Sequence, residues 1–167
     1  MTNLPPHEYY ASLPKQITGA AAIYHAPDGR ILLVRPSYRN DTWELPGGGL
    51  EAGEDPLAAA TRETKEELGV DLTPGRLLVI DWVPEQQDGR PPLVNFLFDA
   101  GEMTDAEAAA RIRLDPDELT EWRLATSEDW GRLLAPHMAR RLHACTKALA
   151  TGSTVYLHHG YDPTIEH

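Results

Sequence analysis

Residues 48–70 read GGLEAGEDPLAAATRETKEELGV and are the most informative part of the chain. Residues 55–68 predict a helix, because Asp55 is a favourable N-cap and Pro56 suits the first helical position. Gly69 favours a C-terminal stop, since glycine readily adopts the left-handed conformation that ends helices. We therefore expect a helix that directly follows a glycine-rich loop.

The predicted helix has one acidic side and one side that suits a core. At about 100° per residue, one arc of about 100° holds Glu63, Glu66 and Glu67. The arc expected to face the core holds Leu57, Thr61, Thr64 and Leu68. Like charges at these spacings cost about 0.2–0.5 kcal/mol per pair on an exposed helix. A divalent cation such as Mg²⁺ or Mn²⁺ would turn the repulsion into binding, because these ions prefer oxygen ligands. The alternative is a solvated acidic face.

The spacing of the whole stretch resembles the signature of the Nudix hydrolases. That signature is Gly-x5-Glu-x7-Arg-Glu-U-x-Glu-Glu-x-Gly-U, where U is an aliphatic residue. Its fixed positions are filled here by Gly48, Glu54, Arg62, Glu63, Glu66, Glu67 and Gly69. One position departs, because Thr64 stands where an aliphatic residue is usual. We expect its methyl group to pack in the core and its hydroxyl to bond to a carbonyl one turn earlier.

The resemblance implies a fold, a cofactor and a reaction. The fold would be an α/β/α sandwich, and the cofactor Mg²⁺, with Mn²⁺ as a substitute. Glu63, Glu66 and Glu67 would bind the metal together with the backbone carbonyl of Gly47. An ion pair between Glu54 and Arg62 would fix the loop on the helix, where Gly48 and Gly69 also have structural roles. The reaction would be attack of water on a phosphorus of a nucleoside diphosphate linked to another moiety.

Residues outside the signature are candidates for the remaining roles. In the family the general base is often a glutamate on a loop before a late strand, which points to Glu118 or Glu121, although a signature glutamate serves in some members. Arg35 and Arg39 are candidates for gripping phosphate, and Tyr38 and Trp82 for stacking on a base; Trp43 is expected in the core. Surface positions are the alternative for the two acids and the two arginines.

Length and charge narrow the class of protein. The chain has 167 residues, enough for one domain, and its net charge of −11 disfavours binding to nucleic acid polymers. A small phosphorylated nucleotide would need a local cation. No apolar run approaches the roughly 20 residues that span a membrane, and the N-terminus lacks the apolar core of a signal peptide. The lone Cys145 suits a reducing cytoplasm. Family members are often dimers, so a homodimer is possible.

The order of elements predicts an α+β fold with a mixed sheet between helices. Residues 1–14 are expected to form a poorly specified lead-in, 15–157 a single Nudix hydrolase domain and 158–167 a C-terminal tail. Strands are predicted at 17–24, 31–34, 76–83 and 93–100, with 111–114 resuming the sheet and 121–125 as a last central strand. Helices are expected from 127, with Ser127 as the cap, and over 136–150. A small strand could form at 155–157.

The signature does not identify the nucleotide. Nucleoside triphosphates and ADP-sugars are the main contenders, because the longer signature of the NADH-cleaving members and the tyrosine of the diadenosine polyphosphate hydrolases are absent. Pro84 lies close to, but displaced from, the place where ADP-ribose hydrolases often carry a proline. A different class of function is a nucleotide-sensing module that binds without turnover. Degenerate copies of this kind usually lose signature glutamates, and all are present here.

Overall fold

A seven-stranded mixed sheet forms the centre of the protein in the computed structural model, which describes residues 4–165. Its strands are β1 (Ile17–His25), β2 (Ile31–Pro36), β3 (Gly47–Gly49), β4 (Leu77–Val83), β5 (Leu93–Glu102), β6 (Leu119–Ala125) and β7 (Val155–His158). The order across the sheet is β6-β2-β1-β5-β4-β7, with the short β3 paired to β1. β1 and β5 run parallel, as do β4 and β7, and the other pairs are antiparallel.

Helices cover both faces of this sheet. They are α1 (Pro6–Ser12), α2 (Pro56–Leu68), α3 (Asp105–Arg111), α4 (Ser127–Leu133) and α5 (Pro136–Thr151). On one face α5 buries Leu142, Cys145 and Ala148. On the other face the small side chains of Ala59 and Ala60 let α2 approach β1 closely. The predicted α+β class with a mixed sheet between helices is confirmed. Within the described part of the chain, no helix has the length and apolar character needed to cross a membrane.

The predicted limits of α2 are confirmed by its caps. Asp55 Oδ1 accepts hydrogen bonds from the backbone of Leu57 and Ala58, at 2.9 and 3.0 Å. Gly69 ends the helix with φ of 66°, in the left-handed region. The prediction for the Thr64 hydroxyl is wrong, since it has no hydrogen-bond partner among residues 4–165. Thr64 is fully buried beside the Tyr24 hydroxyl, so its side chain faces the sheet and does not turn back to the helix.

Several other predictions need correction. The lead-in contains α1, none of whose residues is buried. Residues 111–114 do not resume the sheet, because the backbone N–H of Arg113 donates to the Leu68 carbonyl at the end of α2. β6 is an edge strand, not a central one. The cap of α4 is Thr126, not Ser127. The small terminal strand is confirmed as β7. Residues 1–3 of the lead-in and 166–167 of the tail lie outside the described residues.

Candidate active site

Arg62 ties the glycine-rich loop to α2. Its Nε donates to Glu54 Oε1 at 2.8 Å, so the expected ion pair between these residues is present. Its Nη2 also donates to the Gly49 carbonyl at 3.0 Å. On the other side, Nη1 contacts Glu63 at 2.9 Å and Glu66 at 3.0 Å. One guanidinium therefore fixes the loop and orients two carboxylates, a geometry that the planar fork of arginine suits.

Because β3 consists of three glycines, its backbone can lie directly against the carboxylates of α2. A Cβ on Gly48 would lie 2.4 Å from Glu63 Oε1, so only glycine fits without displacing that carboxylate. A Cβ on Gly47 would lie 2.2 Å from the Ala20 carbonyl of the neighbouring strand. The backbone N–H of Gly47 donates to Glu67 Oε2 at 2.9 Å. The predicted metal contact of the Gly47 carbonyl remains a prediction.

Glu118 joins the site from a distant part of the sequence. It ends a tight turn in which its N–H donates to the Asp115 carbonyl at 3.1 Å. The backbone N–H of Ser37 donates to the Glu118 carbonyl at 2.8 Å, and Ser37 Oγ donates to the Asp117 carbonyl at 2.6 Å. These bonds fix the start of β6 against the end of β2. As a result, one carboxylate oxygen each from Glu63, Glu67 and Glu118 lie within 4.8 Å of one another, and we call these three residues the carboxylate cluster.

The carboxylate cluster is electrostatically unfavourable by itself. Burial raises the pKa of Glu67 to about 8; the Gly47 N–H opposes this shift, and the Glu63 and Glu118 carboxylates add to it. Burial also raises the pKa of Glu63, against the effect of Arg62. Three converging carboxylate oxygens are hard ligands of the kind that Mg²⁺ takes, so the chemistry of the donors fits a divalent cation.

Glu66, the third signature glutamate predicted to bind metal, lies outside the cluster. The Glu66 side chain is half exposed and accepts from Arg62 Nη1. Glu121, the other candidate base, is on β6 and pairs with Arg35 of β2 at 2.8 Å. The Arg35 side chain also donates to the Asn40 carbonyl at 3.2 Å. Each of these three side chains therefore has a partner within the protein, and their expected roles remain predictions.

A cavity of about 400 Å³ adjoins the carboxylate cluster. Gly47 links the two, since it lines the cavity and donates to Glu67. Glu44 also lines the cavity, and its charge adds to the raised pKa of Glu67. Arg39 lies at this cavity and contacts Asp41 at 3.0 Å. A substrate with its phosphates at the cluster would have room for a further group here, because ligand cavities are commonly about 300–1,000 Å³.

The two predicted stacking residues lie in different places. The Tyr38 side chain is exposed, and partial burial and the Glu44 carboxylate raise its pKa, so its stacking role remains a prediction. Successive side chains of a strand point to opposite faces of the sheet. Asp81 contacts Arg141 of α5, so the neighbouring Trp82 faces the other side. It packs against His158 with ring centroids 5.0 Å apart. Trp43, expected in the core, packs partly against it but also lines the cavity.

Sequence reasoning missed most polar residues of the cavity, among them Asn95, His137 and Arg141. Asn95 did carry a signal, because it is a polar residue within the apolar run 93–98. His137 and Arg141 lie on α5, where nothing in the local pattern distinguishes them from a solvated helix face.

Comparison with known proteins identifies relatives over most of the chain. The family model described as the NUDIX domain matches residues 15–145. A MutT-like protein of Streptomyces ambofaciens is 34% identical over 121 residues, which is 67% of this chain and 77% of the relative. A putative ADP-ribose pyrophosphatase of Bacillus subtilis is 37% identical over 51% of this chain and 41% of its own length. The crystal structure of a MutT protein from Methanosarcina mazei superposes with a TM-score of 0.64 at 24% identity, covering 84% of this chain and 99% of that one.

Proposed function

Because the chain belongs to the Nudix hydrolase family, we propose that it is a Mg²⁺-dependent hydrolase of a nucleoside diphosphate linked to another moiety. The observation that carries this proposal is the convergence of Glu63, Glu67 and Glu118 beside a cavity large enough for a nucleoside. A charge of −11 over the chain would otherwise repel such a substrate, so a local cation is needed.

The carboxylate cluster would hold the cation, with Glu66 and the Gly47 carbonyl as further ligands on the family resemblance. When bound, the dication supplies charge neutralisation on the phosphate oxygens and a template for the substrate, and Mn²⁺ should substitute for Mg²⁺. Arg62 keeps Glu63 in place through its 2.9 Å contact. Of the two arginines predicted to grip phosphate, Arg39 lines the cavity, and we assign the phosphate contact to it.

In the reaction, the oxygen of a water molecule forms a bond to phosphorus and the bond from phosphorus to the bridging oxygen breaks. A carboxylate takes the proton of the attacking water, and the bridging oxygen leaves with the departing phosphate group. Glu118 is the stronger candidate for this base, since its carboxylate belongs to the cluster. Glu121 is the weaker candidate, because Arg35 already holds its carboxylate.

Nucleoside triphosphates and ADP-sugars remain the two substrate classes under consideration. The Bacillus subtilis relative is named a putative ADP-ribose pyrophosphatase, which favours the ADP-sugar class. We also propose a cytoplasmic location, based on the single buried Cys145, and we leave a homodimer as a possibility from the family.

The test is a panel of nucleoside triphosphates and nucleotide sugars assayed with Mg²⁺ and Mn²⁺. Release of a nucleoside monophosphate and pyrophosphate would identify the triphosphate class. AMP and ribose phosphate would identify ADP-ribose. No turnover across the panel would favour the alternative, a nucleotide-sensing module that binds without catalysis.

The matched variant is Glu67→Gln, which preserves size and an acceptor for the Gly47 N–H. We expect its rate to fall about a hundredfold or more, because it removes a charge from a buried catalytic site. Glu51→Gln, at an exposed position of the same loop, is the control and should retain the wild-type rate. Full activity in Glu67→Gln would remove this residue from the mechanism.

A further inference from the structure

A buried ion pair presents one donor group to the cavity. Arg141 on α5 and Asp81 on β4 are 6% and 0% exposed. Arg141 Nε donates to Asp81 Oδ2, and its Nη1 contacts the Met138 sulfur at 3.0 Å. Arg141 lines the cavity, and within residues 4–165 the hydrogen bonds of its guanidinium use Nε and Nη1 and leave Nη2 unengaged. The two N–H groups of Nη2 are therefore available to a ligand in the cavity.

The C-terminal segment, residues 158–161, forms hydrogen bonds to Asp81 and to the neighbouring backbone of β4. Asp81 Oδ1 accepts a hydrogen bond from the backbone N–H of Gly160 at 3.0 Å. The N–H of His159 donates to the Trp82 carbonyl at 2.8 Å, which anchors the segment on β4. Both carboxylate oxygens of Asp81 are thus engaged, one by Arg141 and one by the segment. This segment follows the end of the NUDIX match at residue 145.

Among the described residues, every arginine that lines the cavity is paired with an acid of the protein. Asp81 neutralises Arg141. The other two arginines that line the cavity are more exposed, and each has its own acid: Arg39 contacts Asp41 at 3.0 Å and Arg90 contacts Asp88 at 2.8 Å. Burial lowers the pKa of His137 to about 4, so this residue is neutral at pH 7.

A neutral polar group fits such a cavity better than an anion does. Burying a phosphate without an unpaired cation would cost its hydration, whereas a neutral acceptor only exchanges one hydrogen bond for another. Trp43, Leu97 and Met138 contribute apolar surface to the same walls. Apolar walls with a few fixed polar groups are typical of small-molecule sites, and the base is the flat, neutral part of a nucleotide.

We propose that Arg141 is a specificity-determining residue that donates through Nη2 to a neutral acceptor on a nucleobase, and that Asp81 and the C-terminal segment position it. The inference rests on the proposed function for the placement of the phosphates at the carboxylate cluster. It goes further in naming the group that enters the cavity, which is the base and not a phosphorylated ring.

The experiment compares substrates with and without a base, using the full chain and Mg²⁺. The base-bearing probes are ATP, GTP, CTP, UTP and ADP-ribose, and the base-free probe is ribose 5-triphosphate. In Arg141→Lys, the lysine can still pair with Asp81 but lacks the N–H groups that Nη2 of Arg141 offers to the base. We expect kcat/KM for the preferred nucleotide to fall about tenfold or more, mainly through KM. We expect kcat/KM for ribose 5-triphosphate to stay within about twofold of wild type.

Gly160→Ala tests the positioning role from outside the cavity. Gly160 has φ of 81°, and an added Cβ would lie 3.0 Å from the His137 carbonyl, so alanine strains the backbone that donates to Asp81. We expect Gly160→Ala to lower kcat/KM for the preferred nucleotide less than Arg141→Lys does, and to leave kcat/KM for ribose 5-triphosphate near the wild-type value. Arg132→Lys and Gly131→Ala, both on α4, are the matched controls and should behave as wild type.

Equal losses on ATP and ribose 5-triphosphate would overturn the proposal, because they would indicate a purely structural role. No loss on any nucleotide would overturn it as well. If Arg141→Lys does not fold, Asp81→Asn/Arg141→Gln keeps a neutral hydrogen-bonded pair and is expected to lose the same discrimination.

Failure of the proposed function would be distinguishable. If no probe is hydrolysed, the proposed function fails, and calorimetry with ADP-ribose in Ca²⁺ decides the inference. Weaker binding to Arg141→Lys than to wild type would support it, and equal binding would overturn it.

Discussion

Glu67 illustrates at the residue scale why the site needs a partner from outside the chain. Its side chain is almost fully buried, and burial raises its pKa to about 8. A buried carboxylate beside two others is unfavourable unless an opposite charge is near, and a protein that needed only stability would have an apolar residue here. Gly47 supplies one hydrogen bond, which opposes the shift only in part.

Gly48 should be intolerant of any side chain, because an added Cβ would lie 2.4 Å from Glu63 Oε1. We expect Gly48→Ala to lower kcat about tenfold or more, since small displacements of catalytic groups have large effects on rate. Gly49→Ala is the control, because a Cβ there meets nothing within 4 Å. Steady-state kinetics of both variants provide the measurement. Equal rates would show that the position of Glu63 does not matter.

Glu118 and Glu121 were indistinguishable from the sequence, but they have different surroundings. Glu118 belongs to the carboxylate cluster, whereas Glu121 pairs with Arg35 at 2.8 Å. We expect Glu118→Gln to reduce kcat about a hundredfold and Glu121→Gln to change it by less than about threefold. A pH–rate profile of each variant measures the effect on the base as well as on the rate. The reverse order would assign the base to Glu121.

At the scale of the element, α2 was predictable because its signals are local. Asp55, Pro56 and Gly69 define its ends within the stretch itself. The ion pair of Arg62 and Glu54, expected from the family resemblance, is also present. The prediction for Thr64 was wrong because its side chain is buried beside Tyr24, which lies on the distant strand β1.

Elements that depend on distant partners were less predictable. Residues 111–114 have the composition of a strand, yet they lie beside the end of α2, where the Leu68 carbonyl accepts a hydrogen bond from the backbone N–H of Arg113. The sequence of β6 predicts a central strand, because nothing in it shows that β6 pairs with β2 alone. The cavity combines β1, β3, β5 and α5, so Arg141 could be recognised only once these elements were in place.

The N-cap of α2 should contribute measurably to stability. Asp55 accepts from two backbone N–H groups, of Leu57 and Ala58. We expect Asp55→Ala to lower the free energy of unfolding by about 1 kcal/mol, as is usual for loss of a cap. Urea denaturation provides the measurement. Asp71→Ala, an exposed position beyond the helix, is the control, and an equal change in both variants would contradict a specific role for the cap.

At the scale of the whole molecule, His137 should make the fold sensitive to acid. Burial, with Arg141 as the next contribution, lowers its pKa from 6.5 to about 4 in the folded protein. Between these two values the unfolded state binds more protons, so stability falls as the pH falls. The loss is at most about 1.4 kcal/mol per pH unit. We expect His137→Asn to flatten this dependence in urea denaturation between pH 7 and 4. The exposed His7→Asn is the control. The prediction is contradicted if the free energy of unfolding of His137→Asn changes with pH as steeply as it does for wild type and for the control.

The net charge of the whole chain, like the burial of Glu67, requires a cation at the site. A protein with a net charge of −11 places three carboxylates together at the edge of its cavity. Phosphate anhydrides could approach such a surface only if a cation is held there.

Mn²⁺ binding, followed by electron paramagnetic resonance in wild type and Glu67→Gln, tests this requirement most directly. We expect wild type to bind Mn²⁺ at the carboxylate cluster, Mg²⁺ to displace it, and Glu67→Gln to weaken binding about tenfold or more. Equal Mn²⁺ affinity in the two proteins, or no binding by wild type, would contradict a metal site at Glu63, Glu67 and Glu118.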